Sequence, residues 1–187
     1  TGSMECYDVM DTHSNLSDKS LISTTEISGS IRFYMLQTIR QYALEKLEYD
    51  EELRRNHFNY FMNTSDPSRI HINGIDQIGW LKSVDTDSDN IRSAIQWSMD
   101  KYPEEACRLI SKMTDYWDIK GYFMEAYQTS KNMLDSGRIK EKLSRANLLY
   151  CAGLMAQNMG RVSEAERLTG EGLSIFRECN DRTGIGK

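Results

Sequence analysis

Gly121-Tyr-Phe-Met-Glu-Ala126 and Gly160-Arg-Val-Ser-Glu-Ala165 follow one pattern: a glycine, three variable residues, then Glu-Ala, at an offset of 39 residues. The flanks keep the register, since Leu109 and Ile110 fall on Leu148 and Leu149, and Leu134 falls on Leu173. Self-similarity at a fixed period of roughly 20–50 residues marks stacked supersecondary units. One such unit cannot bury its apolar face alone, so neighbours must stack. In each copy a first helix is expected to end near the glycine and a second to begin at Glu-Ala. The predicted pairs are 103–119 with 122–135, and 142–158 with 161–178. Glycine just past a helix suits the left-handed conformation that costs other residues more.

The first helix of the second pair is apolar on two sides. Leu149, Ala152, Gly153 and Ala156 form one side, and Leu148, Met155 and Met159 the other. A helix wedged between two neighbours has this pattern, whereas a surface helix shows one stripe. Gly153 and Gly172 fall inside predicted helices, where each costs about 1 kcal/mol relative to alanine. Close approach of helix backbones would offset that cost.

Upstream, Pro103 suits a first helical position, with Glu104 and Glu105 at the positive end of the dipole. Ala106, Leu109, Ile110, Met113, Tyr116 and Trp117 then recur at helical spacing. Leu53, His57, Tyr60 and Phe61 mark an earlier helix. After a loop at Asp66-Pro67, a short helix is expected around Ile75, Ile78 and Trp80-Leu81. Thr86, Asp87 and Ser88 are candidate N-caps for a further helix with the face Ile91, Ala94, Ile95 and Ser98. Near the start, Leu21-Ile-Ser-Thr-Thr25 and Ile31-Arg-Phe-Tyr-Met-Leu36 flank a glycine-containing connection and predict a β-hairpin. Ile39, Tyr42, Ala43 and Leu47 predict a helix after it. The expected fold class is mainly α: antiparallel helix-pair repeats forming an α-solenoid, with a small N-terminal β-hairpin.

The composition narrows the function. Of 187 residues, 39% are apolar and 27% charged, and the net charge of −5 argues against a nucleic-acid footprint. No apolar run approaches the ~20 residues that span a bilayer, and no secretory pattern occurs. A cytoplasmic protein with no membrane partner is the expectation. Residues 1–3, ahead of Met4, have the look of an expression scar. Without secretion, the glycosylation-like Asn15-Leu-Ser17 and Asn63-Thr-Ser65 carry no weight.

Cys6, Cys107, Cys151 and Cys179 are far apart, and with His13, His57 and His71 they form no zinc-ligand cluster. They read as free thiols, and Cys107 as a packing residue in a small-residue face. Asp85, Asp87 and Asp89 lack the glycine and late glutamate of a calcium loop, so capping and solvation explain them. Asp115 and Asp118 share a helix without a matched base or nucleophile. Met113, Met155 and Met159 lie on apolar stripes and fill the core rather than forming an adaptable binding surface. No enzyme is expected.

Leu149, Gly153 and Ala156 on a first helix, then Gly160, then Ala165 on a second, resemble the tetratricopeptide repeat. The period there is about 34 residues, so the longer period here implies longer connections. The N-terminal part resembles a more specific family. Leu16-Ser-Asp-Lys-Ser-Leu-Ile22, the hairpin, Tyr34-Met-Leu-Gln-Thr-Ile-Arg-Gln-Tyr-Ala43 and Leu47 are similar to a segment of bacterial STAND-type signalling ATPases and related regulators. That segment joins a winged-helix domain to helical repeats. Arg54-Arg-Asn-His57, Asn59-Tyr-Phe61, Trp80-Leu81, Asp89-Asn-Ile-Arg92 with Ala94 and Trp97, and Phe176-Arg-Glu-Cys-Asn-Asp-Arg-Thr-Gly184 extend the resemblance over nearly all of 16–187.

It implies a partial winged-helix domain at 4–48 and a helical linker or atypical first repeats at 49–101. Tetratricopeptide-like repeats would follow at 102–187, cut short inside an array. In that family an ATPase module precedes the winged helix, and the repeats sense a ligand or partner. The phosphate-cradling Gly-x-x-x-x-Gly-Lys-Ser/Thr loop occurs nowhere; Gly186-Lys187 does not qualify, because position 181 is Asp. No cofactor is expected on this chain, and ATP or ADP with Mg would belong to an upstream module.

In tetratricopeptide-like arrays the first helices line the concave face. Removing the apolar sides of 142–158 leaves Asn147, Tyr150, Leu154, Gln157 and Asn158. The corresponding positions one period earlier are Arg108, Ser111, Asp115, Asp118 and Ile119. This stripe suits an extended peptide, with amides holding its backbone and Arg108 selecting for charge; a merely solvated groove is the plain alternative. The expected partner is a protein or peptide, or the ATPase module of the parent chain. Residues 16–47 carry Lys19, Arg32, Arg40 and Lys46 against Asp18, Glu26 and Glu45. Phosphate binding needs a positive excess, so DNA is disfavoured and a structural bridge preferred. The alternative is a DNA-binding regulator fragment whose repeats dimerise it.

Overall fold

The computed structural model describes residues 6–27, 30–46, 51–65 and 75–187. These are mainly α, with ten helices and one two-stranded antiparallel hairpin among the described residues. The chain divides into two compact units, Thr1–Asp50 and Glu51–Lys187.

The first unit runs Cys6–Asp18 (α1), Ser23–Ile27 (β1), Ser30–Tyr34 (β2) and Gln37–Lys46 (α2). Strands β1 and β2 pair antiparallel with Ser23 opposite Tyr34 and Thr25 opposite Arg32. The hairpin is where the sequence predicts it, with each strand displaced by about two residues toward the turn; its central residues and Leu47 lie outside the described set. Helix α1 was not predicted. Its stop is also atypical, since Ser20 rather than glycine takes the left-handed conformation (φ 55°). There Ser20 N–H donates to Ser17 O at 2.8 Å and Leu21 N–H to Leu16 O at 2.9 Å. Ile22 is the one buried side chain among the described residues of this unit.

The second unit opens with Glu51–Thr64 (α3) and Ile75–Lys101 (α4). Helix α4 corrects the expectation of two helices separated near Thr86. No proline interrupts the run, and Thr86 turns its hydroxyl back onto Lys82 O (2.7 Å), an ordinary mid-helix bond. Asp87 is buried rather than exposed at a helix start. The Asp66-Pro67 loop lies outside the described residues.

Pro103–Lys112 (α5) and Thr114–Lys120 (α6) replace the single helix expected over 103–119. The break is at Met113, whose N–H is shared between Leu109 O (3.2 Å) and Ile110 O (3.1 Å), a bifurcation common where helices end. Phe123–Asp135 (α7), Lys142–Asn158 (α8) and Val162–Glu178 (α9) match the remaining expectations within a residue, and Arg182–Ile185 (α10) follows.

The turns between paired helices are alike. Gly121 (φ 75°) and Gly160 (φ 74°) are left-handed, and the next amides, Tyr122 and Arg161, donate to Trp117 O and Ala156 O, each at 2.9 Å. Glycine adopts this φ at no steric cost. Asn180 (φ 54°) makes the same turn after α9, with Asp181 N–H on Phe176 O at 2.9 Å. The 39-residue offset from Gly121 to Gly160 contains the six-residue connection 136–141 and the 17-residue α8.

Helices α8 and α9 cross at their glycines. A Cβ on Gly153 would stand 2.5 Å from Thr169 Cγ2 and 3.2 Å from Thr169 N; one on Gly172 would stand 3.2 Å from Ala146 O. The two helices approach backbone to backbone, which accounts for glycine in both interiors. Leu148, Leu149, Cys151, Ala152, Met155 and Ala156 of α8 are all buried. They belong to one apolar cluster that continues through Leu109, Ile110, Met113 and Trp117 to Ile91, Phe58 and Phe61.

Candidate functional site

Three residues of the predicted stripe, Tyr150, Leu154 and Gln157, line one cavity of about 420 Å³. Helix α9 closes its other side with Glu166, Thr169, Leu173 and Phe176, α10 adds Ile185, and Lys187 follows it. The wall from α9 is smooth for a local reason: Gly170 has no side chain and Thr169 turns its hydroxyl onto Ala165 O at 2.8 Å.

Asn147 stands one turn along α8 from Tyr150. Its Nδ2 donates to Leu143 O (2.9 Å), leaving Oδ1 to accept from Lys187 Nζ at 2.7 Å. The same ammonium lies 5.2 Å from the centroid of the Tyr150 ring and 5.8 Å from that of Phe176. Across the groove, Asn158 donates to Asp118 of α6. Burial pushes the Asp115 carboxyl above the usual carboxylate range; the Lys187 ammonium pulls it down and Asp118 pushes it further up. Burial also raises the Tyr150 phenol, and Asp115 and Asp118 add to that.

Arg108 and Ser111 stand apart from this cluster. Arg108 faces Glu141 at 3.8 Å, and Ser111 donates to Cys107 O at 2.7 Å. Ile119 is exposed.

The other reactive residue types are accounted for by structure. Burial pushes the Cys107 thiol up to about 12, far from the thiolate that nucleophilic chemistry requires. Asp85 accepts from Tyr116 Oη and from Lys120 Nζ, each at 2.7 Å, and Asp89 pairs with Arg92 at 2.8 Å. Among the described residues no group of three or more His, Cys, Asp or Glu side chains could hold a metal ion. No helix among them is long and apolar enough to cross a membrane.

The chain is 26% identical over 138 residues, 72% of its length, to proteins provisionally named HTH-type transcriptional regulators. They come from Mycobacterium bovis and from two strains of Mycobacterium tuberculosis. The likeness is to regulator-like proteins. The chain spans 16% of the length of each of these relatives. No family model and no solved structure matches it.

Sequence reasoning missed the α9 wall and Lys187. Leu173 was within reach, because it repeats Leu134 at the 39-residue offset. Lys187 was not, because its partner Asn147 lies 40 residues earlier and no local pattern links them.

Proposed function

We propose that this chain is a non-catalytic interaction and sensing module of a larger bacterial regulator. Its inner groove takes a protein or peptide, or a module of its own parent chain. The observation that carries this reading is the cavity lined by α8, α9 and α10. It combines apolar walls (Leu154, Leu173, Phe176) with amide and phenol groups at its rim, the mixture by which pockets gain both affinity and orientation. In this reading 102–187 act as tetratricopeptide-like repeats, 49–101 as atypical first repeats, and 4–48 as part of a winged-helix domain. Asn147, Tyr150, Leu154, Gln157 and Asn158 contact the partner, with Asp115 and Asp118 across the groove and Arg108 and Ser111 at its far end. Any ATP, ADP or Mg chemistry belongs to an upstream STAND-type module, and the protein works in the cytoplasm. The likeness to regulators supports the regulatory role.

The test is partner capture from lysate, with the bound protein identified by mass spectrometry. Simultaneous change of Asn147, Tyr150 and Asn158 to alanine should lower capture by tenfold or more, the loss expected when about 2 kcal/mol of contact is removed. The thermal melt should change little. Undiminished capture would place the interaction elsewhere.

The naming of the relatives favours one second reading, a DNA-binding regulator fragment in which the first unit contacts the duplex. A salt-sensitive shift of duplex DNA by the intact chain, lost on changing Lys19 and Arg40 to glutamate, would favour it.

A further inference from the structure

Glu125 and Glu164 are the glutamates of the repeated Gly-x-x-x-Glu-Ala pattern, and each is the third residue of its helix, α7 or α9. A glutamate at that position ordinarily reaches back to the backbone N–H of the residue capping the helix. Here the capping residues are Tyr122 and Arg161. Their N–H groups already donate to Trp117 O and Ala156 O in the glycine turn, each at 2.9 Å. Both carboxylates turn instead to a helix of the preceding pair. Glu125 takes a two-pronged bond from Arg92 of α4, Nε to Oε1 at 2.6 Å and Nη2 to Oε2 at 3.0 Å. Glu164 accepts from Tyr127 Oη of α7 at 2.5 Å. The two carboxylate side chains are alike in cover, each 31% exposed.

The donors are not alike. Arg92 and Tyr127 lie 35 residues apart, about one helical turn short of the 39-residue period, so the pattern fixes the acceptor and leaves the donor to vary. Arg92 is a cation, held also by Asp89 at 2.8 Å. Tyr127 is a neutral donor. Burial pushes its phenol above the ordinary range and the bond to Glu164 adds to that, while Arg161 opposes the shift only in part. A bidentate bond between guanidinium and carboxylate is both directional and charge-assisted, and salt weakens a partly exposed pair of opposite charges. A phenol donating to a carboxylate has no such pair to screen.

We propose that the glutamate of this pattern is a latch between successive helix pairs, released for that task by the glycine turn, and that its two donors put the two joints under different control. The joint between α4 and α7 is held by a charge pair and loosens as ionic strength rises. The joint between α7 and α9 is held by a neutral donor and keeps its strength in salt. The latch does not depend on what the groove binds.

Amide hydrogen exchange on the full chain tests this, since faster exchange reports easier local opening. Glu125→Gln should speed exchange across residues 91–99 of α4 about threefold or more, the scale of one charged contact partly open to water. Arg92→Met should do the same, and the double variant should add little to either alone. Glu164→Gln and Tyr127→Phe should each speed residues 168–176 of α9 to a similar extent, again without adding. In about 1 M sodium chloride the screening length falls to ~3 Å. There the Arg92→Met effect should shrink by about half or more, and the Tyr127→Phe effect should stay within about 1.5-fold of its low-salt value. Faster exchange confined to residues 123–126 and 162–165 would leave the glutamates as helix-end residues and overturn the latch. Full additivity of donor and acceptor variants would overturn it as well, and an equal salt response at the two joints would overturn their separate control.

Discussion

The hairpin unit and the α8–α9 pair both carry apolar side chains and end up differently packed. In the first unit Ile31, Phe33, Tyr34, Leu36 and Tyr42 are exposed, and α2 has no buried residue. Helix α8 buries nine of its 17 residues, four of them alanine or glycine. Helix α8 is richer in apolar residues than α2, and it also has neighbours of matching shape. Small residues let α9 approach α8 closely, and α7 and α5 close the remaining sides. Among the described residues of the first unit the hairpin meets α1 through His13, stacked on Phe33 at 4.2 Å, and Ile22 is the one buried side chain; a two-stranded hairpin with so little cover is marginal in water.

The largest effect tests that comparison directly. Residues 51–187 expressed alone should keep a cooperative thermal transition, whereas 4–50 alone should show none by circular dichroism. A cooperative melt of the shorter piece would break the comparison.

Next in size is a pair of truncations of equal chemistry. Leu149→Ala, in the core at 2% exposure, should cost about 2–5 kcal/mol in urea unfolding. Leu36→Ala, 70% exposed, should stay within about 0.5 kcal/mol. Similar losses would mean that the hairpin unit is better packed than its exposure implies.

The third test sharpens the role of close approach. Alanine at Gly153 must push Thr169 aside and should cost about 1–2 kcal/mol net of its better helix propensity. Alanine at Gly170, also mid-helix but with nothing within 4 Å of its Cβ, should instead stabilise by about 0.5–1 kcal/mol. Shifts of the same sign would remove the crossing as the reason for Gly153.

The smallest effect depends on pH. Burial pushes the Glu104 carboxyl up, but the backbone N–H groups of Lys140 and Glu141 outweigh it and hold the group below the usual range. A carboxyl depressed on folding adds stability above its unfolded value of about 4.3 and loses it as pH falls through the folded value. Glu104→Gln should therefore be less stable than the parent at pH 7 by no more than about 1 kcal/mol, given solvent screening. That gap should close below about pH 4. A gap independent of pH would assign the effect to shape and not to charge.

The repeats were legible because the same signal occurs twice: a glycine turn, an apolar register and a pair of small-residue faces. The stretch 81–90 was misread because Asp, Ser and Thr favour helix starts, whereas here Val84 and Asp87 are buried in mid-helix and packing overrides that preference. Helix α1 escaped because Cys6–Asp18 shows no clean apolar stripe and ends on serine. In the groove, Tyr150, Leu154 and Gln157 could be found by subtraction, since a helix with two apolar sides leaves one further face. The opposing wall could not, because α9 and Lys187 reach it through turns whose direction is tertiary.

Glu104 has a further consequence. Its Oε1 accepts from Lys140 N–H (2.7 Å) and Glu141 N–H (3.0 Å), at the start of α8, where Glu141 makes no side-chain cap of its own. The backbone entering α8 is thus held by a carboxylate belonging to the repeat before it. In a linear array, stability divides between each repeat and its coupling to the next, and this contact is a discrete piece of that coupling. Amide exchange at Lys140 and Glu141 should then follow the unfolding of the α5 repeat rather than fraying of α8, tying the two repeats into a single cooperative block.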